Sequence, residues 1–163
     1  MPESPSPLAA MLGRIPSGLF ILAARNDRGE PTAMLVSWVQ QAGFAPPAVT
    51  VAVRKGRDLH DGLAVAPHAA LSIVGESQKP ILARFSKGIE PGEHPFEGLD
   101  FEQTASDLPV LTDALGWLAG DVTGQIDAGD HLVYLLRVTE AGFGRRREDE
   151  LPWVHLRKNG LGY

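Results

Sequence analysis

Glycine and proline interrupt this chain so often that it can fold only as short elements joined by many turns. The 18 glycines and 13 prolines make up close to a fifth of the 163 residues. That is high for a helical bundle, yet below the roughly 25–30 % that marks a disordered or low-complexity chain. Between these breaks lie short apolar runs rich in β-branched residues, which favour strands over helices. Residues 18–24 and 32–39 flank the turn-forming Asn26-Asp27-Arg28-Gly29 and read as a hairpin. Pro46-Pro47 leads in extended form to a third strand at 49–53. Residues 69–74, 114–126 and 131–141 read as further strands, the last two joined by a turn at 127–130, and 153–156 as a final one. Helical spacing predicts short helices at 8–14, 57–66 and 80–85. Residues 87–109 hold three prolines and three glycines with no clear period, so they read as one long loop, functional or mobile. The charge-balanced run 145–150 reads as a solvated turn. Six or seven strands with few, short helices suggest a closed or sandwich-like β fold with no internal repeat. The length allows one domain, expected at residues 12–163 behind a loose tail or lead-in helix at 1–11.

Several kinds of chemistry are excluded by what is missing. The chain has no cysteine, which removes disulfides, thiolate metal sites and cysteine nucleophiles, so redox chemistry would need a bound cofactor. No phosphate-loop, dinucleotide, hydrolase-elbow or zincin motif occurs. The five histidines His60, His68, His94, His131 and His155 lack metal-ligand spacing, and no metal site is expected. Asp127 and Asp130 are near enough for a catalytic pair, but a polar hairpin turn selects aspartate on backbone grounds alone. No run approaches the roughly 20 apolar residues of a membrane span. The first residues carry an acid, three prolines and no base, unlike a secretory signal. A cytoplasmic protein without membrane contacts is the expectation.

The net charge of −5 lacks the basic footprint of a nucleic-acid binder, but the charge is unevenly placed. Residues 1–87 hold nine bases and six acids, whereas 88–136 hold ten acids and no base. Within the basic half, Arg54-Lys55-Gly56-Arg57 follows a predicted strand and precedes a predicted helix. A strand end, a glycine and a helix start direct donors and positive potential at one place, which suits a phosphate monoester. The competing reading is a solvated basic turn. Arg84 and Lys87, around Phe85 and Ser86, form a second basic pair with the same two readings.

Taken in order, residues 32–41, Pro46-Pro47, 49–53, Arg54-Lys55 and His60-Asp61 resemble the flavin reductase-like, FMN-binding split-barrel family. Arg84-Phe85-Ser86, Gly129-Asp130-His131 and Pro152-Trp153-Val154-His155 continue the pattern across residues 12–163. The resemblance implies a mainly β, homodimeric split β-barrel holding FMN, with FAD as the alternative, in a groove near the subunit interface. By position, Leu35, Ser37, Trp38, Gln41 and Ala42 would line the isoalloxazine. Arg54, Lys55, Arg57 and the turn Arg84, Phe85, Ser86 and Lys87 would hold the ribityl phosphate. His131 would sit on the nicotinamide side. The implied activity is an NAD(P)H:flavin oxidoreductase passing hydride from a nicotinamide to flavin N5, with a monooxygenase or electron-transfer protein as partner. An electron-transfer module reduced by a partner, and a split-barrel binding protein without enzyme activity, are the alternatives. Leu59 stands where family members often carry a phosphate-binding threonine, and Leu35 and Trp38 occupy positions often small or polar. Trp38 reads either as a stacking face for the flavin or as core or dimer-interface packing.

Overall fold

The computed structural model describes residues 4–146, 148 and 150–162. Twelve elements follow one another: α1 (Pro7–Gly13), β1 (Phe20–Arg25), β2 (Pro31–Val36), β3 (Val39–Phe44), β4 (Pro47–Arg54), α2 (Leu59–Val65), β5 (His68–Ile73), α3 (Lys79–Ser86), β6 (Phe101–Gln103), β7 (Pro109–Leu111), β8 (Gly116–Asp127) and β9 (His131–Phe143). Seven strands form one antiparallel sheet in the order β2-β1-β5-β8-β9-β4-β3, and β6 and β7 pair separately.

The connection between β2 and β3 decides the shape of this sheet. These strands lie at its opposite edges, about six strand spacings or roughly 29 Å apart if the sheet were flat. Yet only Ser37 and Trp38 separate Val36 from Val39, and three Cα steps reach no more than about 11 Å. The sheet must therefore curl until its edges meet. Trp38 makes the join by accepting, through its carbonyl, a 3.0 Å hydrogen bond from the Ala52 amide in β4. The edges approach without forming a β2–β4 ladder, so the barrel is mainly β and split, as the family resemblance implies.

Two apolar clusters hold the barrel. Leu22, Ala24, Val36, Val49, Val51, Val53, Leu71 and Leu136 fill one side of the curled sheet, with Leu59 and Leu63 of α2 packed among them. Ile21, Ala23, Ala70 and Ala119 project to the other side, where α3 and residues 96–114 cover them. Successive residues of β1 alternate between the clusters, which is why its interior is buried on both faces and reads as a continuous apolar run.

The hairpin, the third strand, the strands from 69 onward and the short helices all stand near their expected places. Three segments differ. The run 32–39 is not one strand, because closure bends the chain at Ser37-Trp38 and sends Val39 to the far edge. The stretch 87–109 is not a loose loop. Phe96, Leu108 and Val110 are essentially fully buried, and the β6–β7 hairpin lies across the outer cluster. Its core residues are spaced by turns, so no periodicity betrays them. Residues 153–156 form no strand ladder; the segment is tied by a bridge between Ser17 and His155 and by the Trp153 amide donating to the Val74 carbonyl.

In the run 145–150, Arg147 and Asp149 lie outside the described residues, as do Met1 to Glu3 of the expected tail. Arg146 is not simply solvated: its Nε and Nη2 donate to the Asp113 carboxylate at 2.9 and 3.1 Å. Helix α1 is capped by Ser6 and is held by backbone bonds from Arg157 to Gly13 and from Gly160 to Ala9.

Gly62 sets the seat of α2. It is buried, and a Cβ there would collide with the backbone carbonyl of Arg25 at the end of β1. Gly62→Ala is expected to lower unfolding stability by about 1–3 kcal/mol, the usual cost of overpacking, measured by chemical denaturation.

Candidate functional site

Closure leaves two grooves, and they meet at the joining dipeptide. Ser37, Trp38, Ala52 and Arg54 line both. The larger groove, about 970 Å³, runs along β2 between the β4–α2 turn and the segment after α3. Leu35, Leu82, Phe85, Ile89 and Trp153 give it an apolar wall, and Arg54, Gly56 and Arg57 give it a basic end. The smaller groove, about 690 Å³, lies between α1, the C-terminal segment and β4–β9.

The basic end is shaped by backbone as well as charge. Gly56 has φ +87°, and nothing stands within 4 Å of the place a Cβ would occupy. This left-handed turn throws Arg54 and Arg57 to the groove, and glycine adopts it without strain. The two arginines differ from their basic neighbours. Lys55 is held by the Asp127 carboxylate at 2.8 Å, and Arg84 by Glu93 at 2.9 Å. Among the described residues, neither Arg54 nor Arg57 forms an ion pair within 4.0 Å. The Lys55 ammonium, followed by the Gly129 amide, holds the Asp127 carboxyl below the usual carboxylate range. Asp127 is therefore a turn anchor, as its backbone role suggested.

At the junction, the Trp38 ring lies 4.8 Å from the His131 ring at 42°, and the Arg157 guanidinium stands 5.0 Å from its centroid. His131 opens β9 opposite Arg54 in the ladder. It is buried, and its Nδ1 lies 2.8 Å from Asp130 Oδ1. The contact with His131 is the chief reason that the Asp130 carboxyl is held low, with Arg54 adding to it.

The structure thus brings Leu35, Ser37, Trp38, Arg54, Arg57, Phe85 and Ser86 to the larger groove, and His131 to the smaller one where it meets Trp38. Lys55, Arg84 and Lys87 flank the larger groove without lining it, and Lys55 and Arg84 brace its edges. Gln41 and Ala42 are exposed on β3 and line neither groove within one chain. Sequence reasoning pointed to the glycine of the basic cluster, Gly56, but did not find Arg157 or the loop residues Ile89 and Glu90, because nothing local in their neighbourhoods signals a site. Among the described residues no cluster of metal-ligating side chains occurs, and no helix is long and apolar enough to cross a membrane.

Fold and cleft together define a split-barrel domain with an apolar, aromatic groove ending in two arginines that form no ion pair among the described residues. The model of the flavin reductase like domain matches residues 12–161, and the chain belongs to that family. It is 38% identical over 160 residues to diflavin flavoprotein A 1 of Synechocystis sp., covering 97% of this chain and 27% of that protein. It is 34% identical over 158 residues to a putative diflavin flavoprotein A 3 of Nostoc sp., covering 93% and 26%. The chain therefore spans about a quarter of the length of these relatives. Among solved structures, the styrene monooxygenase flavin reductase of Pseudomonas putida superposes with TM-score 0.75 at 26% identity, over 90% of each chain. The NADH:FAD oxidoreductase of Streptomyces globisporus, in complex with NAD and FAD fragments, shares the fold with TM-score 0.77 at 20% identity, over 90% of this chain and 85% of that one.

The Arg84–Glu93 pair ties α3 to the segment that walls the larger groove. Arg84→Ala is expected to speed amide exchange across residues 88–94 while leaving exchange in β1 and β5 unchanged, read by hydrogen–deuterium exchange with mass spectrometry.

Proposed function

We propose that the larger groove binds FMN and that the chain is an NAD(P)H:flavin oxidoreductase. The observation that carries this reading is the pair Arg54 and Arg57, unpaired among the described residues at the end of an apolar groove that meets Trp38. A planar, apolar ring system fits the wall of Leu35, Phe85 and Trp38, and a phosphate monoester fits two guanidinium groups beside an open glycine turn. FAD is the alternative ligand. The bound flavin supplies the hydride-accepting chemistry.

The chain's own residues bind and orient. Arg54 and Arg57 neutralise the phosphate, Ser86 offers a hydroxyl at the opposite wall, and Trp38 offers a stacking face at the junction. His131, fixed by Asp130 and packed on Trp38, shapes the wall where a nicotinamide would approach from the smaller groove. No side chain has to act as acid or base. Leu59, buried in the inner cluster, offers no hydroxyl to the phosphate, which leaves that task to the arginines.

We read the working unit as a homodimer. Gln41 and Ala42 lie on an exposed strand outside both grooves, so they would reach a flavin only across an interface with a second copy. A monooxygenase or electron-transfer protein would take the reduced flavin or its electrons. A second reading has its own support: relatives about four times this chain's length are named diflavin flavoproteins. In that setting the domain would be a flavin-holding electron-transfer module whose reductant is another protein or domain.

Titration with FMN is expected to give saturable binding, and NADH or NADPH under anaerobic conditions is expected to bleach the flavin absorbance. Bound FMN that neither nucleotide reduces would select the electron-transfer module. A protein that neither binds flavin nor consumes nucleotide would overturn both readings. Replacing Trp38 by alanine is expected to weaken FMN binding about three- to tenfold, in line with an aromatic stacking contribution of about 0.5–1.5 kcal/mol. Flavin fluorescence titration measures that change.

A further inference from the structure

Inside the barrel, one polar pair interrupts an otherwise apolar cluster. Tyr134 of β9 is 4 % exposed and packs with Val51, Val53, Leu59 and Leu63. Its hydroxyl stands 2.5 Å from Nδ1 of His60 on α2, with the rings stacked at 5.7 Å. The other ring nitrogen, Nε2, lies 2.8 Å from the backbone carbonyl oxygen of Arg54. A carbonyl only accepts, so Nε2 carries the proton, and in the neutral ring Nδ1 accepts from the phenol. Burial, and then the charge of Asp61, pushes the Tyr134 hydroxyl up, which keeps it a donor at neutral pH. The chain of donors runs one way, from Tyr134 through His60 to Arg54.

The carbonyl at its end is one that the sheet leaves without a β3 partner. The β3–β4 ladder ends at Val39 and Val51, and the Trp38 carbonyl takes the Ala52 amide beyond it. Arg54 lies further on, at the last position of β4, facing only β9 through its pair with His131. Immediately after it comes the left-handed turn at Gly56. The peptide unit of that carbonyl is tied on the β9 side by the Lys55 amide, which donates to the Asp130 carbonyl at 2.9 Å, and His60 supplies the tie on the opposite, open side.

We propose that His60, backed by Tyr134, is a positioning residue for the ligand's phosphate: it clamps the Arg54 carbonyl and so fixes the direction in which the Arg54 guanidinium leaves the barrel. The proposal rests on the phosphate reading of the larger groove. It goes beyond that reading by assigning a role to two residues that do not line the groove. The buried phenol serves as a rigid post, since its ring is locked in the core, and the imidazole transmits that rigidity to the strand end.

The test compares FMN with riboflavin, which lacks the phosphate, as ligands of the full chain. For His60→Leu and Tyr134→Phe, FMN affinity is expected to fall about tenfold while riboflavin affinity changes less than twofold. His60→Gln, whose amide nitrogen can replace Nε2 as donor to the carbonyl, is expected to retain most FMN affinity. Tyr134→Phe conserves the packed ring and serves where His60→Leu folds poorly. Equal losses for both ligands, or no loss for FMN in either variant, would overturn the positioning role. Arg54→Ala separates this from failure of the underlying reading. If the wild type shows no preference for FMN over riboflavin, or Arg54→Ala leaves that preference intact, the phosphate site itself is wrong and His60 has nothing to position.

Discussion

The shortness of the Ser37-Trp38 link governs this molecule. Two residues join strands that the pairing order places at opposite edges of a seven-stranded sheet, and covalent reach forces the sheet to close on itself. Closure without a β2–β4 ladder leaves a split, and both grooves open from that split. Trp38 stands where they meet because it is part of the join. The aromatic surface of the cleft and the geometry of the barrel therefore have one cause.

Electrostatics then select which charges face the cleft. Seven of the ten acids of residues 88–136 serve as partners for groups elsewhere in the fold. Asp107 takes Arg25, Glu93 takes Arg84, Asp100 takes Arg145, Asp113 takes Arg146, Asp121 takes Arg137 and His68, and Asp127 takes Lys55. Glu102 accepts the Trp117 indole proton instead. Exposed pairs of this kind contribute little stability individually. Their collective effect is to leave Arg54 and Arg57 as the bases at the groove without an ion pair among the described residues. Six carboxylates of the base-free acidic stretch thus hold cations in place elsewhere in the fold.

Much of the β architecture was legible because it is written locally. The Asn26 to Gly29 turn, the valines of β4, and the Gly129-Asp130 turn before β9 each carry their own backbone preference. The break between β2 and β3 was not legible, since Thr32 to Val39 is a mostly apolar run without glycine or proline and only the closure of the barrel requires a bend there. Nor was the buried role of Phe96, Leu108 and Val110, whose spacing follows turns rather than a helix or strand period. At the site, the basic cluster and Trp38 were visible as candidates. The bracing of Lys55 and Arg84 was not, because Asp127 and Glu93 reach them only through the fold.

By itself the sequence determined most of the turns and most of the runs that become strands, that cysteine chemistry is absent, and that a cluster of bases follows the strand of valines at 49–53. These follow from dihedral preferences and side-chain chemistry within a few residues. The tertiary structure alone decided that the sheet closes at Trp38, that Gln41 and Ala42 lie outside the grooves of a single chain, and that His60 and Tyr134 reach the Arg54 carbonyl. The reason is that each of these depends on the meeting of segments tens of residues apart, and such meetings are set by strand order and covalent reach rather than by any local preference.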